Sequence, residues 1–277
     1  MQEISPNIFL DTNALWMVTG VIRTEEGSVL VDSPMRQDET RTWRSGTAHM
    51  VTGDPRFLIS LDTNYDRVIS SKGTKCITLA QTYSCRSSKG KGTGNRCNED
   101  QPVFGESHDS SGGVGRWVPP EVLFLEDLQL HLGSFEIKLE YHGGSNVAGT
   151  WVILPKAKVV FVGDTVLVDQ PPFLAYADLA VWEEDLKELA SRAYKGYQIV
   201  SSRSGLVTQE QVRAMGRLIA YIHNLIKPLE ESRAELDSFY QIIPKILKKF
   251  EVLPIYNELY YNRLRWGLTT WYEQHIQ

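Results

Sequence analysis

The sequence predicts an α+β fold in which two blocks of β-strands precede a helical C-terminal segment. Residues 6–34 and 121–142 are rich in β-branched and apolar residues, and the second block alternates as a half-buried strand does. From Thr208 onward the sequence predicts helices. Residues 208–211 (Thr-Gln-Glu-Gln) form a capping-box pattern that marks the start of the first of these helices.

Shorter patterns predict the remaining elements. Residues 24–27 supply a hairpin turn, and residues 36–50 are polar and charged, which favours a helix. Apolar runs predict further strands, and an amphipathic pattern predicts one more helix before the C-terminal segment. In chain order these are strands at 56–62, 75–83, both sides of the Pro155-Lys156 turn and 198–207, with helices at 182–194, 208–229, 231–250 (kinked or broken at Pro244) and 256–275.

Composition and charge restrict the kinds of partner that the sequence predicts. The chain has 277 residues, 42% of them hydrophobic and 23% charged, with a formal net charge of −5. This acidic balance argues against a general nucleic-acid binder. The N-terminal residues do not resemble a signal peptide, and no apolar run approaches the ~20 residues of a membrane span. We therefore expect a cytoplasmic protein without nucleic-acid or membrane partners.

Cysteine usage agrees with a reducing compartment. The count of three is odd and no Cys-X-X-Cys pair occurs, which argues against a disulfide framework. Cys85 and Cys97 could still pair in an oxidising compartment. They lie in residues 85–117, where glycine, serine and charged residues predict a long surface loop. The sequence leaves open whether this loop is a lid over a site or a passive insertion.

Five short motifs in a fixed order identify a family resemblance. The motifs are SVLVDSP (28–34), LISLDTNYDRVIS (58–70), GGSNVAG (143–149), VVFVGDTV (159–166) and VSSRSGLVT (200–208). Their order over about residues 5–225 resembles the metallo-β-lactamase superfamily, in particular its hydroxyacylglutathione-hydrolase-like branch. The resemblance implies a four-layer αββα sandwich with the motifs on loops at one edge. It divides the chain into a domain at 1–207 and a C-terminal helical segment at 208–277 packed on the core.

The resemblance also shows where this sequence departs from the family's metal site. Histidines that the family carries on three of these loops are missing, whereas two of its aspartates remain. The replaced positions hold Asp62, Asn64, Arg67, Ser145 and Arg203, and the remaining aspartates are Asp66 and Asp164.

These replacements predict that the usual two-zinc centre is absent. Zinc prefers imidazole and thiolate ligands, and arginine has no lone pair to offer a metal. Without a metal, the carboxylates of Asp62, Asp66 and Asp164 would repel one another. Forked hydrogen bonds from Arg67 and Arg203 can neutralise two of them. The sequence thus predicts a binding or structural homologue, a pseudoenzyme without a cofactor, rather than a conventional zinc hydrolase.

One alternative uses the oxygen donors of the same loops. Asp62, Asn64 and Asp164, with Asp66 nearby, could hold a single Mn²⁺, Mg²⁺ or Ca²⁺ ion. A water bound to that ion could hydrolyse an ester, a lactone or a phosphodiester. The sequence names no substrate, because this fold serves many reactions.

A second alternative uses the cations. The donors of Arg67 and Arg203, beside Ser145 and Asn146, could bind a small anionic ligand. In either case we expect two unlike sides. An oxygen-donor side would carry Asp62, Asn64 and Ser145, and a cationic side would carry Arg67 and Arg203.

Other residues near the motifs are interpreted as structural. His142 precedes Ser145 by three positions and is expected to be a hydrogen-bonded histidine at a strand end. Gly143, Gly144 and Gly163 are expected to permit tight turns. The last helix carries one apolar stripe, which indicates packing on the core or a homodimer interface. The stripe consists of Tyr260, Leu264, Leu268 and Trp271.

Overall fold

The computed structural model describes residues 1–14, 17–34, 37–48, 55–64, 67, 76–82 and 120–276. The predicted loop at 85–117 lies outside the described residues, and so do Asp66, Cys85 and Cys97.

Seven strands of the described chain form the first sheet, in chain order. They are β1 (Gln2–Ser5), β2 (Ile8–Asp11), β3 (Thr19–Thr24), β4 (Gly27–Val31), β5 (Phe57–Ile59), β6 (Ile77–Gln81) and β7 (Val122–Phe124). Strands β1 to β4 pair antiparallel, and β4 to β7 pair parallel. Helix α1 (Gln37–Ala48) lies in the connection between β4 and β5. It supplies the crossover that a parallel pair requires.

A second sheet contains six strands in the order β13-β12-β11-β10-β9-β8. Their ranges are β8 (Asp127–Leu132), β9 (Phe135–Tyr141), β10 (Thr150–Leu154), β11 (Val159–Phe161), β12 (Gln198–Ser201) and β13 (Gly205–Val207). The predicted Pro155-Lys156 turn joins β10 to β11, which pair antiparallel. Strands β11 and β12 pair parallel, and helix α2 (Leu179–Leu189) lies in their connection.

Alternate side chains of the strands enter different buried clusters, and this produces four layers. Val31 of β4 and Phe161 of β11 share a cluster between the two sheets. Leu30 points to the other face of the first sheet and packs with Trp43 of α1. Val160 points to the other face of the second sheet, where the remaining helices cover it. Since successive strand residues face opposite sides, both sheets bury both faces.

The first C-terminal helix begins where the capping-box pattern predicted. Helix α3 (Gln209–Glu231) has Thr208 as its N-cap. The Thr208 hydroxyl accepts from the Gln211 amide at 3.2 Å, and the Gln211 side chain accepts from the Thr208 amide at 2.8 Å. Two backbone donors at the helix start are thereby satisfied, which confirms the prediction.

The helix predicted at 231–250, with Pro244 as a kink or a break, is broken. The structure has two short helices there, α4 (Leu236–Tyr240) and α5 (Ile243–Leu247). Pro244 lies in the first turn of α5. Proline has no amide hydrogen to donate inside a helix but fits its first turn, so it starts a new helix instead of kinking a long one.

The last helix, α6 (Asn257–His275), buries its apolar stripe within this chain. Leu264 and Leu268 are 0% exposed and share one cluster with Trp271 and with Trp182 of α2. The residues of 208–277 and of the second sheet therefore pack in a common core. A homodimer through α6 stays a prediction. In the part of the chain that the structure describes, no helix combines the length and apolarity needed to cross a membrane.

Candidate functional site

The candidate site lies where parallel strands of both sheets end. Asp32 follows β4 and Asp62 follows β5, whereas Asp164 follows β11 and Arg203 follows β12. The carboxyl ends of parallel neighbours meet at the same edge of a sheet, so each sheet brings two of these residues together. The two edges face each other across Arg67, which contacts the three aspartates, and Arg203 contacts Asp164. We call these residues the charge cluster: Asp32, Asp62, Asp164, Arg67 and Arg203.

Arg67 is the centre of the charge cluster. Its Nε donates to Asp32 Oδ2 at 2.8 Å, its Nη1 donates to Asp62 Oδ2, and its Nη2 donates to Asp164 Oδ1 at 2.8 Å. The Arg67 side chain is 0% exposed, and those of its three partners are at most 2% exposed. One planar guanidinium therefore bridges carboxylates from both sheets, a geometry that a lysine ammonium would not reproduce.

Asp164 also binds Arg203, the second arginine of the charge cluster. Arg203 Nε lies 3.2 Å from Asp164 Oδ1, and Arg203 Nη2 lies 3.3 Å from Oδ2. Asn64 Nδ2 donates to the same Oδ2 at 2.8 Å. With Arg67, three side chains donate to this buried carboxylate, which satisfies both of its oxygens.

Asp32 belongs to the charge cluster, although the sequence did not identify it as a candidate site residue. The strand SVLV ending in an aspartate was the available signal. Asp32 Oδ1 accepts from the Leu61 amide at 3.0 Å, and Oδ2 accepts from the Ser202 hydroxyl at 3.1 Å as well as from Arg67. Its φ of 55° lies in the left-handed region, which aspartate tolerates better than most residues. Asp32 thus ties together the loops after β4, β5 and β12.

The predicted division into an oxygen-donor side and a cationic side does not describe the structure. Asp62, expected on the first side, is bonded to Arg67 from the second. Asn64 presents its amide nitrogen to Asp62 and Asp164, and its oxygen accepts from Asn146 at 3.4 Å. A guanidinium has donors on three edges and can contact several carboxylates at once. Arg67 therefore spans both expected sides.

Ser145 hydrogen-bonds to Thr165, the neighbour of Asp164, rather than to a described residue of the charge cluster. Its hydroxyl is 3.5 Å from Thr165 Oγ1, the one hydrogen bond of this side chain among the described residues. Thr165 also accepts from the Trp151 indole at 3.1 Å. The serine is thus part of a hydrogen-bonded loop contact.

His142 has the structural role that the sequence predicted. Its Nδ1 lies 2.9 Å from Asp185 Oδ1, and its ring stacks on Trp151 at 3.6 Å. Burial lowers the pKa of His142, but hydrogen bonds to Asp185 and Glu140 outweigh it and raise the pKa to about 9. At neutral pH the ring is therefore an imidazolium that donates to carboxylates, which suits neither a metal ligand nor a general base.

Glycine is required at two positions of these loops for different reasons. Gly163 adopts a φ of +59°, so the expected tight turn is present after β11. Gly144 is needed for a close approach instead, because a Cβ there would overlap the backbone of Trp182 in α2. The Gly144 amide also donates to Asp185 Oδ2 at 3.0 Å. Helix α2 thereby fixes the loop that carries Ser145.

Burial and charge determine the protonation of the charge cluster. Burial would raise the pKa of Asp164, but Arg203 and Arg67 hold it far below its usual range. Burial raises the pKa of Asp62 to about 7 despite Arg67, and the charges of Asp164 and Asp32 add to that rise. Burial also raises the pKa of Asp32. Among the described residues of the cluster, three carboxyl groups face two guanidiniums, so a proton on Asp62 balances these charges.

We expect the stability of the protein to fall as the pH rises from about 4.5 to about 6.5. In that range the native state keeps a proton on Asp62 that the unfolded chain has released, because the native pKa is raised. Asp62 should contribute about −1.4 kcal/mol per pH unit to the slope of the free energy of unfolding, and Asp32, whose pKa is also raised, adds a slope of the same sign. Asp164 adds no slope there, because its lowered pKa leaves it ionised in both states. Chemical denaturation across this range measures the slope.

The Asp62→Asn variant should remove the contribution of Asp62 to this slope, because the amide does not titrate. The exposed Asp127→Asn serves as the matched control and should keep it. An Asp62→Asn protein with the wild-type slope would contradict a proton on Asp62.

The donor set fits a metal ion poorly. Zinc sites in proteins use imidazole, thiolate or carboxylate ligands, and the carboxylates of Asp32, Asp62 and Asp164 all accept from Arg67. Asn64 directs its nitrogen toward two of them. Within the described ranges, no group of three His, Cys, Asp or Glu residues is arranged to hold a metal. A cation at this position would have to displace a guanidinium that carries the same sign of charge.

Solved structures similar to this chain include metallo-β-lactamases and an alkylsulfatase. A metallo-β-lactamase from Pontibacter korlensis has a TM-score of 0.60 and 17% identity, over 79% of this chain and 97% of that one. The DIM-1 metallo-β-lactamase has a TM-score of 0.60 and 18% identity, over 79% of this chain and 95% of that one. The stereoselective inverting sec-alkylsulfatase Pisa1 from Pseudomonas sp. has a TM-score of 0.72 and 13% identity, over 99% of this chain.

The chain spans 50% of the length of that alkylsulfatase. No protein-family model matches the chain, and no curated protein matches it in sequence. Similarity at these low identities is evidence of shared architecture, and that architecture agrees with the two sheets and their covering helices. The chain therefore has the metallo-β-lactamase fold, extended by C-terminal helices.

Proposed function

We propose that this protein is a metallo-β-lactamase-superfamily member with a degenerate metal site, which serves as a binding or structural protein and not as a conventional zinc hydrolase. The contact of Arg67 with three buried aspartates carries this proposal. From the order of the five motifs, we further propose that it belongs to the hydroxyacylglutathione-hydrolase-like branch.

Charge supports the replacement of metal by guanidinium. Arg67 and Arg203 together bring two positive charges to Asp32, Asp62 and Asp164. These cations are part of the chain and arrive with folding, so the loops can be held without a bound ion. In a buried site such pairs need close geometry and further hydrogen bonds to offset desolvation, and Leu61, Asn64 and Ser202 provide those bonds.

The alternative hypothesis of a single-metal hydrolase conflicts with the contacts of Arg67. A single Mn²⁺, Mg²⁺ or Ca²⁺ held by Asp62, Asn64 and Asp164 would require both carboxylates to give up Arg67. A small anionic ligand at Arg203 would similarly compete with Asp164. The geometry therefore favours a site whose charges are satisfied internally, and a ligand would bind at the loops that the cluster holds in place.

We expect the purified protein to contain far less than one zinc ion per chain by elemental analysis, even after growth with added zinc. Bound cation at about 100 times its dissociation constant would raise the free energy of unfolding by about 2.7 kcal/mol. None of the ions Zn²⁺, Mn²⁺, Mg²⁺ and Ca²⁺ should produce such a rise. A chelator should leave the thermal unfolding midpoint unchanged.

A zinc-dependent metallo-β-lactamase treated in parallel is the positive control. Stoichiometric zinc together with hydrolysis of an ester, lactam, lactone or phosphodiester would refute the proposal. Activity that requires added Mn²⁺ or Mg²⁺ and disappears in Asp62→Asn would support the oxygen-ligated hydrolase instead.

A further inference from the structure

Two arginines from distant parts of the chain contact one aromatic ring beside the charge cluster. Arg203 Cζ lies over the ring of Phe173 at 5.2 Å from its centroid, and Arg263 Cζ of α6 lies over the same ring at 4.1 Å. The Arg203 side chain and Arg263 are each 3% exposed, and Phe173 is 7% exposed. Desolvated cation–π contacts are the stronger ones, because water does not compete for the cation.

Helix α6 holds this aromatic ring from two successive turns. Arg263 Nη1 donates to Gln170 Oε1 at 3.0 Å and to the Pro171 carbonyl at 3.1 Å, on the segment just before Phe173. Gly267, four residues later, lies so close to Leu174 that an added Cβ would be 3.0 Å from the Leu174 Cβ. Residues three and four apart share one face of a helix. Residues 170–174 are therefore fixed against that face.

The ring matters because Arg203 contacts Asp164 over longer distances than Arg67 does. Arg203 reaches Asp164 at 3.2 to 3.3 Å, at the long end of the hydrogen-bond range, whereas Arg67 reaches it at 2.8 Å. We propose that Arg263 is a positioning residue that holds the Arg203 guanidinium on Asp164 through the ring of Phe173. The inference rests on the guanidinium-based site proposed above, and it makes α6 part of that site.

Solvent exchange of the arginine Nε hydrogens, followed by NMR, tests this proposal. In Arg263→Met, exchange at Arg203 Nε should become faster by on the order of tenfold, because the guanidinium loses part of its support. Exchange at Arg67 Nε, which donates to Asp32, should change little and serves as an internal reference. Phe173→Leu removes the shared ring but keeps the Arg263 side chain, and it should have the same selective effect on Arg203. Arg203→Lys identifies the resonance.

Leu268→Ala is the matched control, since it removes a fully buried side chain of α6 outside this stack. In this variant, solvent exchange at the Nε of Arg203 and of Arg67 should become faster by the same factor, because the whole protein loses stability. Equal acceleration of Arg203 and Arg67 in Arg263→Met and Phe173→Leu, or no acceleration at all, would overturn the proposal. The zinc content measured by elemental analysis does not depend on these exchange rates. Failure of this proposal and failure of the proposed function are therefore distinguishable.

Discussion

Replacement of Arg67 by methionine should lower the free energy of unfolding by about 3–5 kcal/mol, as measured by chemical denaturation. The variant would leave the buried carboxylates of Asp32, Asp62 and Asp164 with Arg203 as the remaining cation of the cluster. Methionine fills a similar volume, so the loss would come from unpaired charge more than from a cavity. Such a loss is a large part of the stability of a typical domain.

Arg56→Met is the matched control, because Arg56 forms an exposed ion pair with Glu26 at 3.0 Å. That variant should lose less than about 1 kcal/mol. The loss in free energy of unfolding for Arg67→Lys should lie between those of Arg67→Met and Arg56→Met, since one ammonium cannot bridge three carboxylates as the guanidinium does. A loss below about 1 kcal/mol in Arg67→Met would contradict the central role of this residue.

Asp164→Ala should cost a similar amount, about 3–5 kcal/mol, for the opposite reason. It would leave the buried guanidiniums of Arg67 and Arg203 without the carboxylate they share. The Asn64 amide would lose its 2.8 Å acceptor as well. Because the pKa of Asp164 is held far below its usual range, the loss should be present throughout the neutral range and shrink in strong acid.

Asp178→Ala provides the comparison for this variant. Asp178 caps α2 and accepts from two backbone amides, at 3.1 and 3.0 Å, but it is exposed. Its removal should cost about 1 kcal/mol, as for other helix caps. Equal losses in the two variants, measured in the same denaturation experiment, would mean that Asp164 acts as an ordinary hydrogen-bond acceptor and not as the counter-charge of the cluster.

Local sequence was sufficient for the strands, the capped helix and the order of the loops. Thr208 and Gln211 lie three residues apart, and the bonds between them depend on little beyond that spacing. The alternation around Leu30 and Val31 likewise determines which side chain faces which layer. Local sequence left a kink and a break at Pro244 as alternatives, and the structure has the break because a proline ring fits the first turn of a new helix.

Motif order was sufficient to bring most candidate site residues to the correct loops. Asp62, Asn64, Asp164 and Arg203 were each predicted by position, and the structure places them together with Arg67. The partners of each cation could not be predicted in the same way, because a guanidinium has several donor edges and the sequence does not orient them.

The sequence by itself thus determined the layered fold and the carboxylate, amide and guanidinium side chains that its loops carry. Tertiary structure alone decided that Asp32 is the third acceptor of Arg67, 35 residues away in sequence, and that α6 reaches Arg203 through Phe173. The physical reason is that the fold and its loops follow from local patterns, whereas buried charges choose partners by distance and desolvation in the folded chain.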